Sequence, residues 1–225
     1  RGLGDVYKRQ NDSYIDGDNA GTNYGSATNL LVDTNPNEKA IFQFDAIGFG
    51  GNKIPYNATI NGANITVNVY DAGNPVTVYQ ILESWEEDEV TYNSRFTGTS
   101  WSSTGIEGAP SRSTVSESSF NPSATGFYTF DITEATRKWT NQSSSNYGIV
   151  LVAGGTNNVG IRSSEYSNQT ERPTLTVDFS APDCTGVQTY VRFSNDGTSW
   201  DSWQLVSNGS ALNGPSVASR YLQYR

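Results

Sequence analysis

Asn64-Ile65-Thr66-Val67-Asn68-Val69-Tyr70 alternates strictly between apolar and polar side chains. A period of two places Ile65, Val67 and Val69 on one face of an extended chain and the polar residues on the other, as in a half-buried β-strand. Asp71-Ala72-Gly73-Asn74-Pro75 follows and is a turn by composition. Beyond it, Val76-Thr77-Val78-Tyr79-Gln80-Ile81-Leu82 is a second strand. Working outward, Leu30-Leu31-Val32 and Lys39 to Phe44 read as strands on the amino-terminal side. Phe127 to Ile132, Gly148 to Ala153, Gly160 to Ser163 and Thr174 to Phe179 read as strands on the other. One helix breaks the pattern: Asp131-Ile132-Thr133-Glu134 has the spacing of a capping box, with Asp131 or Thr133 accepting free N–H groups. The cations Arg137 and Lys138 fall late, where the helix dipole favours them. About eight short antiparallel strands in one domain predict an all-β fold, a jelly-roll β-sandwich with one short helix, followed by a truncated second β-module.

The chain of 225 residues is 35% hydrophobic and only 16% charged, so Asn, Ser, Thr and Gly supply most of its polarity. Those residues suit solvated sheet faces and loops. A net charge of −9 argues against nucleic acid and against anionic membrane surfaces. No apolar run approaches a membrane span. The chain has no histidine and one cysteine, Cys184, which rules out a histidine-based triad, a His-ligated zinc and an internal disulfide. Sequons stand at Asn11, Asn57, Asn64, Asn141, Asn168 and Asn208.

Asp5-Val6-Tyr7-Lys8-Arg9-Gln10 looks like translated sequencing adapter of the kind found in metagenomic assemblies. Residues 1–12 are therefore expected to be a disordered tail or such an artefact. The β-sandwich is expected over 13–179, a linker over 180–188 and an incomplete second β-module over 189–225, where Asn195-Asp196-Gly197 is a hairpin signal and Tyr221 to Arg225 breaks off in strand.

Ser84-Trp85-Glu86-Glu87-Asp88-Glu89-Val90-Thr91-Tyr92 concentrates a tryptophan and four carboxylates. It could be the mouth of a glycosidase. Adjacent Glu86 and Glu87 would point to opposite faces of an extended segment and so do not converge as acid and base. The reading adopted is framework: Trp85 plugs the sandwich, and Glu87 accepts N–H groups of the turn into Val90-Thr91. Trp101 and Trp139 are expected in the core or as end caps. Asp12, Asp16, Asp18 and Asn19 with Gly17 resemble a calcium loop, although the spacing is not that of an EF-hand. Asp16 and Asp18 are the candidate ligands for a structural calcium, against a plain solvated acidic loop.

Several short marks stand in a shared order: Tyr14-Ile15; Asn23-Tyr24-Gly25 with Leu30; Lys39-Ala40-Ile41-Phe42-Gln43-Phe44-Asp45; Ala58-Thr59-Ile60 with Ala63; and Trp85, Glu87 and Val90-Thr91-Tyr92. Phe130-Asp131-Ile132-Thr133, Trp139 with Asn146-Tyr147-Gly148-Ile149, and Ile161-Arg162-Ser163-Ser164-Glu165 before Arg172-Pro173 continue the series. Together, from Ser13 to Phe179, they resemble a DNRLRE-type domain, a group placed with carbohydrate-binding modules and related to disaggregatase-associated repeats of surface proteins. Lys39 stands where many members have Arg, and Tyr92 where many have Trp.

The resemblance implies a non-catalytic β-sandwich that binds polysaccharide, in some members acidic polysaccharide such as alginate. Such a module would belong to a secreted or cell-surface multidomain protein, joined to further domains of the same chain that include lyases or other carbohydrate-active units. Framework roles fall to Trp85, Glu87, Thr91, Asp131 and Trp139. The candidate ligand contacts are Lys39, Arg162 and Glu165, because a guanidinium grips a uronate carboxylate bidentately and Lys supplies a point charge. The alternative for these three is an ordinary ion pair. Tyr24, Tyr166 or Trp101 could stack on a neutral sugar instead. Two other functions stay open: a structural or adhesive repeat of a surface protein, and a lyase or glycosidase built on Tyr, Lys, Arg or carboxylates.

Overall fold

The computed structural model describes residues 2–7, 10–48, 53–181, 189–206 and 221–224. Contacts divide the chain into two units, 1–182 and 183–225. In the first unit the strands are β1 (Gly2–Tyr7), β2 (Gln10–Asp16), β3 (Asn29–Thr34), β4 (Asn37–Phe44), β5 (Thr59–Asp71) and β6 (Val76–Ile81). After them come β7 (Ser94–Phe96), β8 (Thr99–Ser100), β9 (Arg112–Phe120), β10 (Gly126–Asp131), helix α1 (Thr133–Thr140), β11 (Ile149–Ala153), β12 (Val159–Arg162) and β13 (Thr174–Ser180).

Two antiparallel layers form a sandwich with the character of a jelly roll. One layer is built on β5, which pairs with β13, β10 and β12. The other runs β2-β4-β11-β6-β9. Strand β3 joins them, pairing with β12 in the first layer and β4 in the second, so the whole is one large curled sheet.

The alternation that predicts β5 is realised: Ile65, Val67 and Val69 are buried against Phe42, Phe44, Val76, Val78, Ile149 and Leu151 of the facing layer. Strand β4 behaves differently. Five consecutive residues, Glu38 to Phe42, are buried, because this layer is covered on both faces. Ala40 and Phe42 face the sandwich interior, whereas Ile41 joins a second apolar cluster with Ile15, Ile81, Trp85, Val90, Trp101, Ile106 and Val150. The cover is the excursion 82–111, which carries the small hairpin β7–β8. Trp85 therefore plugs this outer cluster and not the sandwich interior, with its Nε1 donating to the Tyr147 carbonyl at 2.9 Å.

Helix α1 closes one part of the sandwich with a stripe at helical spacing: Ala135, Thr136, Trp139 and Thr140 are buried. Its first turn is not served by a reciprocal capping box. Asp131 Oδ1 accepts from the Thr133 N–H at 3.0 Å, and Glu117 of β9 accepts from the Ala135 N–H at 2.9 Å.

Two glycine elbows pin loops to the layers. Asn23 Oδ1 accepts the Gly25 N–H, and Asn146 Oδ1 accepts the Gly148 N–H, each at 3.2 Å. The amide groups of the same Asn side chains reach across the fold, Asn23 to the carbonyls of Glu87 and Val90 and Asn146 to that of Phe44. A Cβ on Gly25 would lie 2.2 Å from the Glu87 carbonyl oxygen, and one on Gly148 would lie 1.9 Å from that of Phe42.

Part of the stretch 1–12, expected to be tail, is described as strand. Gly2–Tyr7 pairs with β13, and Gln10–Asp16 pairs along its whole length with β4. Most of the expected linker, 182–188, lies outside the described residues. The second unit contains a three-stranded sheet of β14 (Thr189–Ser194), β15 (Gln204–Val206) and β16 (Tyr221–Tyr224), in the order β15-β14-β16. There the Arg192 guanidinium lies 4.9 Å from the Trp200 ring and 4.6 Å from the Trp203 ring.

Candidate functional site

Lys39, expected to face a ligand, is only 2% exposed. Its position on the outer face of β4 places it beneath the 82–111 excursion. Its ammonium pairs with Glu107 at 2.8 Å, hydrogen-bonds to Asn37 and lies 5.5 Å from the Tyr92 ring centre. Burial pulls the Lys39 ammonium below its usual range, against the opposing pull of Glu107. The ammonium is thus committed inside the fold, to Glu107, Asn37 and the Tyr92 ring, and is not displayed to solvent.

Arg162 is held between two rings, 4.3 Å from Tyr70 and 4.1 Å from Tyr166. It also donates to Asn29 Oδ1 at 2.6 Å, and its Nε lies 3.7 Å from Glu171. Tyr166 is thus occupied with Arg162. Tyr24 stacks on Tyr14 with ring centres 4.1 Å apart, and its hydroxyl donates to Asp16 Oδ2 at 3.3 Å. Of the candidate contacts, Arg162 and Tyr166 are brought together, whereas Lys39 and Tyr24 belong to separate internal knots.

The Asp16–Asp18 loop is also internally committed. Asp16 accepts from the Asp18 N–H at 2.8 Å and from Asn19 Nδ2 at 2.7 Å. Burial would raise the Asp16 carboxyl, but these donors outweigh it and hold the group below its usual value.

A different trio of carboxylates converges. One oxygen from each of Asp12, Glu87 and Glu165 lies within 4.8 Å of the others. Asp12 comes from β2, Glu87 from the 82–111 excursion and Glu165 from the segment after β12, so the trio ties three distant stretches together. Glu87 Oε1 accepts the Asp12 N–H at 2.6 Å, which replaces the local turn bond expected of it. The turn N–H groups of Glu89 and Val90 go to the Glu86 carbonyl instead. Asp12 Oδ2 accepts from the Ser164 N–H at 2.9 Å and from the Gln10 side chain. Ser164 Oγ donates to Glu165 Oε1 at 2.6 Å.

Two oxygens of the trio, Asp12 Oδ1 and Glu165 Oε2, are buried without a hydrogen-bond partner. Burial, then the charge of Glu165, pushes the Asp12 carboxyl well above its normal range. Burial raises Glu87 to about 7, with Glu165 and Asp88 adding to the shift and the Asp12 N–H opposing it. Buried carboxylates without partners are costly unless a proton or a cation neutralises them. All-oxygen donors of this kind suit a hard cation such as calcium, which takes six to eight oxygens. The site residues thus fit the ion for which Asp16 and Asp18 were the sequence candidates.

The remaining framework residues sit as follows. Thr91 Oγ1 accepts the Ser94 N–H at 3.0 Å, and its carbonyl accepts Trp101 Nε1 at 3.0 Å. Asp131 serves the start of α1, and Trp139 is buried in the main core.

A cleft of about 880 Å³ opens where the ends of β2 and β4 meet the segment after α1. Its lining includes Asn11, Gln43, Tyr56, Gln142, Ser145 and Trp139. Sequence reasoning passed it over, because amides and serines scattered over more than a hundred residues carry no motif. The one available signal was the pairing of Gln43 with Asn11 once β2 and β4 are placed side by side.

Residues 5–104 match the model of carbohydrate-binding module family 96. The match supports a carbohydrate-binding module. It begins within the stretch set aside as adapter-like and covers β2 to β8, hence Asp12, Lys39, Trp85, Glu87 and Thr91. Arg162, Glu165 and Tyr166 lie beyond it, whereas the resemblance traced through short motifs continues to Phe179. No curated protein matches the chain.

Proposed function

We propose that the first unit is a non-catalytic polysaccharide-binding module of a secreted or cell-surface multidomain protein. The observation that carries this reading is the family 96 match over residues 5–104, laid on a β-sandwich that presents an open polar cleft. Non-catalytic action is supported by the way the acidic residues are used. Asp12 is inaccessible, and Glu87 is bound to its backbone N–H. Acidic glycans have less support than the sequence suggested, since Lys39 is covered and Arg162 is already held by two rings and Asn29. Calcium at Asp12, Glu87 and Glu165 would act in this reading as a structural clamp, supported by the two buried oxygens without partners. Among the described residues no helix is long and apolar enough to cross a membrane.

The test is binding of the full chain to a panel of neutral polysaccharides (xylan, mannan, β-glucan) and uronic ones (alginate, pectate), followed by affinity electrophoresis. Retention by at least one polymer without release of reducing or unsaturated ends is expected. Failure to bind any of them would remove the module reading in favour of a structural or adhesive repeat. Release of new chain ends would overturn the non-catalytic assignment.

A further inference from the structure

We infer that Lys39 and Asn37 condense into an intramolecular isopeptide bond, with Glu107 as the catalytic proton carrier. This activity is independent of the module reading above.

The two side chains stand two residues apart on β4 and so project from the same face, beneath the 82–111 excursion. Lys39 Nζ donates to Asn37 Oδ1, one bond away from the amide carbon Cγ. Glu107 Oε1 accepts from both nitrogens of the pair, from Lys39 Nζ at 2.8 Å and from Asn37 Nδ2. The Tyr92 hydroxyl accepts from Asn37 Nδ2 at 3.2 Å and donates to Glu107 Oε1 at 3.1 Å. An amine, the amide it attacks and a carboxylate touching both the attacking and the leaving nitrogen are thus held in one cluster. Such positioning removes much of the barrier to a reaction between them.

The surroundings favour the reactive forms. Lys39 is only 2% exposed, and a buried ammonium is costly. Burial pulls it towards the neutral amine, which is the form that attacks, and the nearby Arg112 charge adds to that pull. Burial would raise the Glu107 carboxyl as well, but its donors Lys39, Asn37 and Tyr92 outweigh this and hold it below its usual range, ready to take a proton. The two positions noted as departures from the resembling domains, Lys39 and Tyr92, meet in this cluster. An Arg at position 39 would supply no nucleophile, because a guanidinium keeps its proton.

In the reaction Glu107 takes one proton from the Lys39 ammonium, and Nζ adds to Cγ of Asn37. A second proton passes from Nζ to Nδ2 through Glu107 or Tyr92 as the Cγ–Nδ2 bond breaks. The leaving nitrogen departs as ammonium, carrying both protons that Nζ has lost. One amide replaces another, and no oxidant or co-reactant is consumed. Glu107 is half exposed, which gives the ammonium a way out. The ring closes over one intervening residue, Glu38, and so constrains the unfolded chain little. Its effect is to replace a buried cation by a neutral amide.

The experiment is intact-mass spectrometry of the full chain, freshly purified and after prolonged incubation, with tryptic mapping around residue 39. It is repeated on Lys39→Arg and Glu107→Gln, with thermal melts to show that both variants fold. The parent should be lighter than its sequence mass by one ammonia, and trypsin should not cut after Lys39. Both variants should keep their full mass. A parent at full mass in both samples would overturn the inference. A loss of ammonia that persists in Lys39→Arg would mark closure of Asn37 onto its own backbone and overturn the cross-link. A cross-link that forms as fast in Glu107→Gln would overturn the role of Glu107. None of these results touches polysaccharide binding, so the module reading stands or falls on its own panel.

Discussion

Lys39 shows why a residue's chemistry and its role can part company. In sequence it is a cation between aromatics on a strand, an apt partner for a uronate. In the structure the same strand is covered on both faces, and the cation is consumed by Glu107, Asn37 and Tyr92. Lys39→Ala should therefore leave glycan affinity unchanged. It should cost about 2–4 kcal/mol of stability, as truncation of a large buried side chain does. Lys39→Met, which refills the volume, should recover most of that loss. Thermal melts and titrations on the two variants check both halves. The glycines of the two elbows are argued at the same scale. Gly25→Ala and Gly148→Ala each drive a methyl into a backbone carbonyl and should cost about 1–3 kcal/mol. Gly148→Ala should be the worse, because its φ of +84° adds about 1–2 kcal/mol for any residue with a Cβ. At about 2–4 °C per kcal/mol for a chain of this size, calorimetric melts resolve the difference.

Legibility varied by element, and for physical reasons. Strands with one wet face, β5 above all, announce themselves by alternation, and α1 by the capping spacing of Asp131 to Glu134 and its late cations. Strand β9 escaped notice because Arg112-Ser113-Thr114-Val115-Ser116-Glu117-Ser118-Ser119-Phe120 has only Phe120 fully buried, and its pairing with β6 is interrupted by bulges. With one paired neighbour and little burial, nothing in its composition needs to alternate. The stretch from Trp85 to Tyr92 reads as framework in sequence, yet the role of the whole 82–111 excursion as a lid over the outer face of β4 depends on contacts between segments far apart in sequence. The same holds for the carboxylate trio and for the cleft, whose members come from stretches that only the fold brings together. The lid makes its own prediction. Trp85→Ala should cost about 3–5 kcal/mol, as loss of a buried aromatic does. By loosening the cover it should also speed hydrogen exchange at the β4 amides, while the β5–β13 amides stay protected. Equal loss of protection in both layers would show that the outer cluster has no separate stability.

At the scale of the whole molecule, the Asp12–Glu87–Glu165 trio joins β2, the lid and the segment after β12, so its charge state bears on the integrity of the first unit. The sign of its pH dependence follows from the shifts. Without a cation, the folded-state pKa of Asp12 is raised and that of Glu87 is about 7, above its unfolded value of 4.5. The folded chain then holds more protons than the unfolded one between about pH 4.5 and 7, and stability falls as pH rises through that window. Calcium would bind the trio in its ionised form, so its stabilisation should be greatest above pH 7 and fade as the pH falls. At a hundredfold excess over Kd it should contribute about 2.7 kcal/mol, or roughly 5–10 °C in Tm. Glu38, also raised to about 7 by burial and by its acidic neighbours Asp16, Asp33 and Asp18, titrates in the same window. The informative quantity is therefore the difference between Tm with calcium and Tm with chelator, measured from pH 5 to 8, since Glu38 contributes to both. That difference should grow with pH and vanish in the double variant Asp12→Asn, Glu165→Gln. A Tm indifferent to millimolar calcium at pH 8 would mean that protons alone neutralise the trio, and the acid-side rise in stability would then be its entire effect.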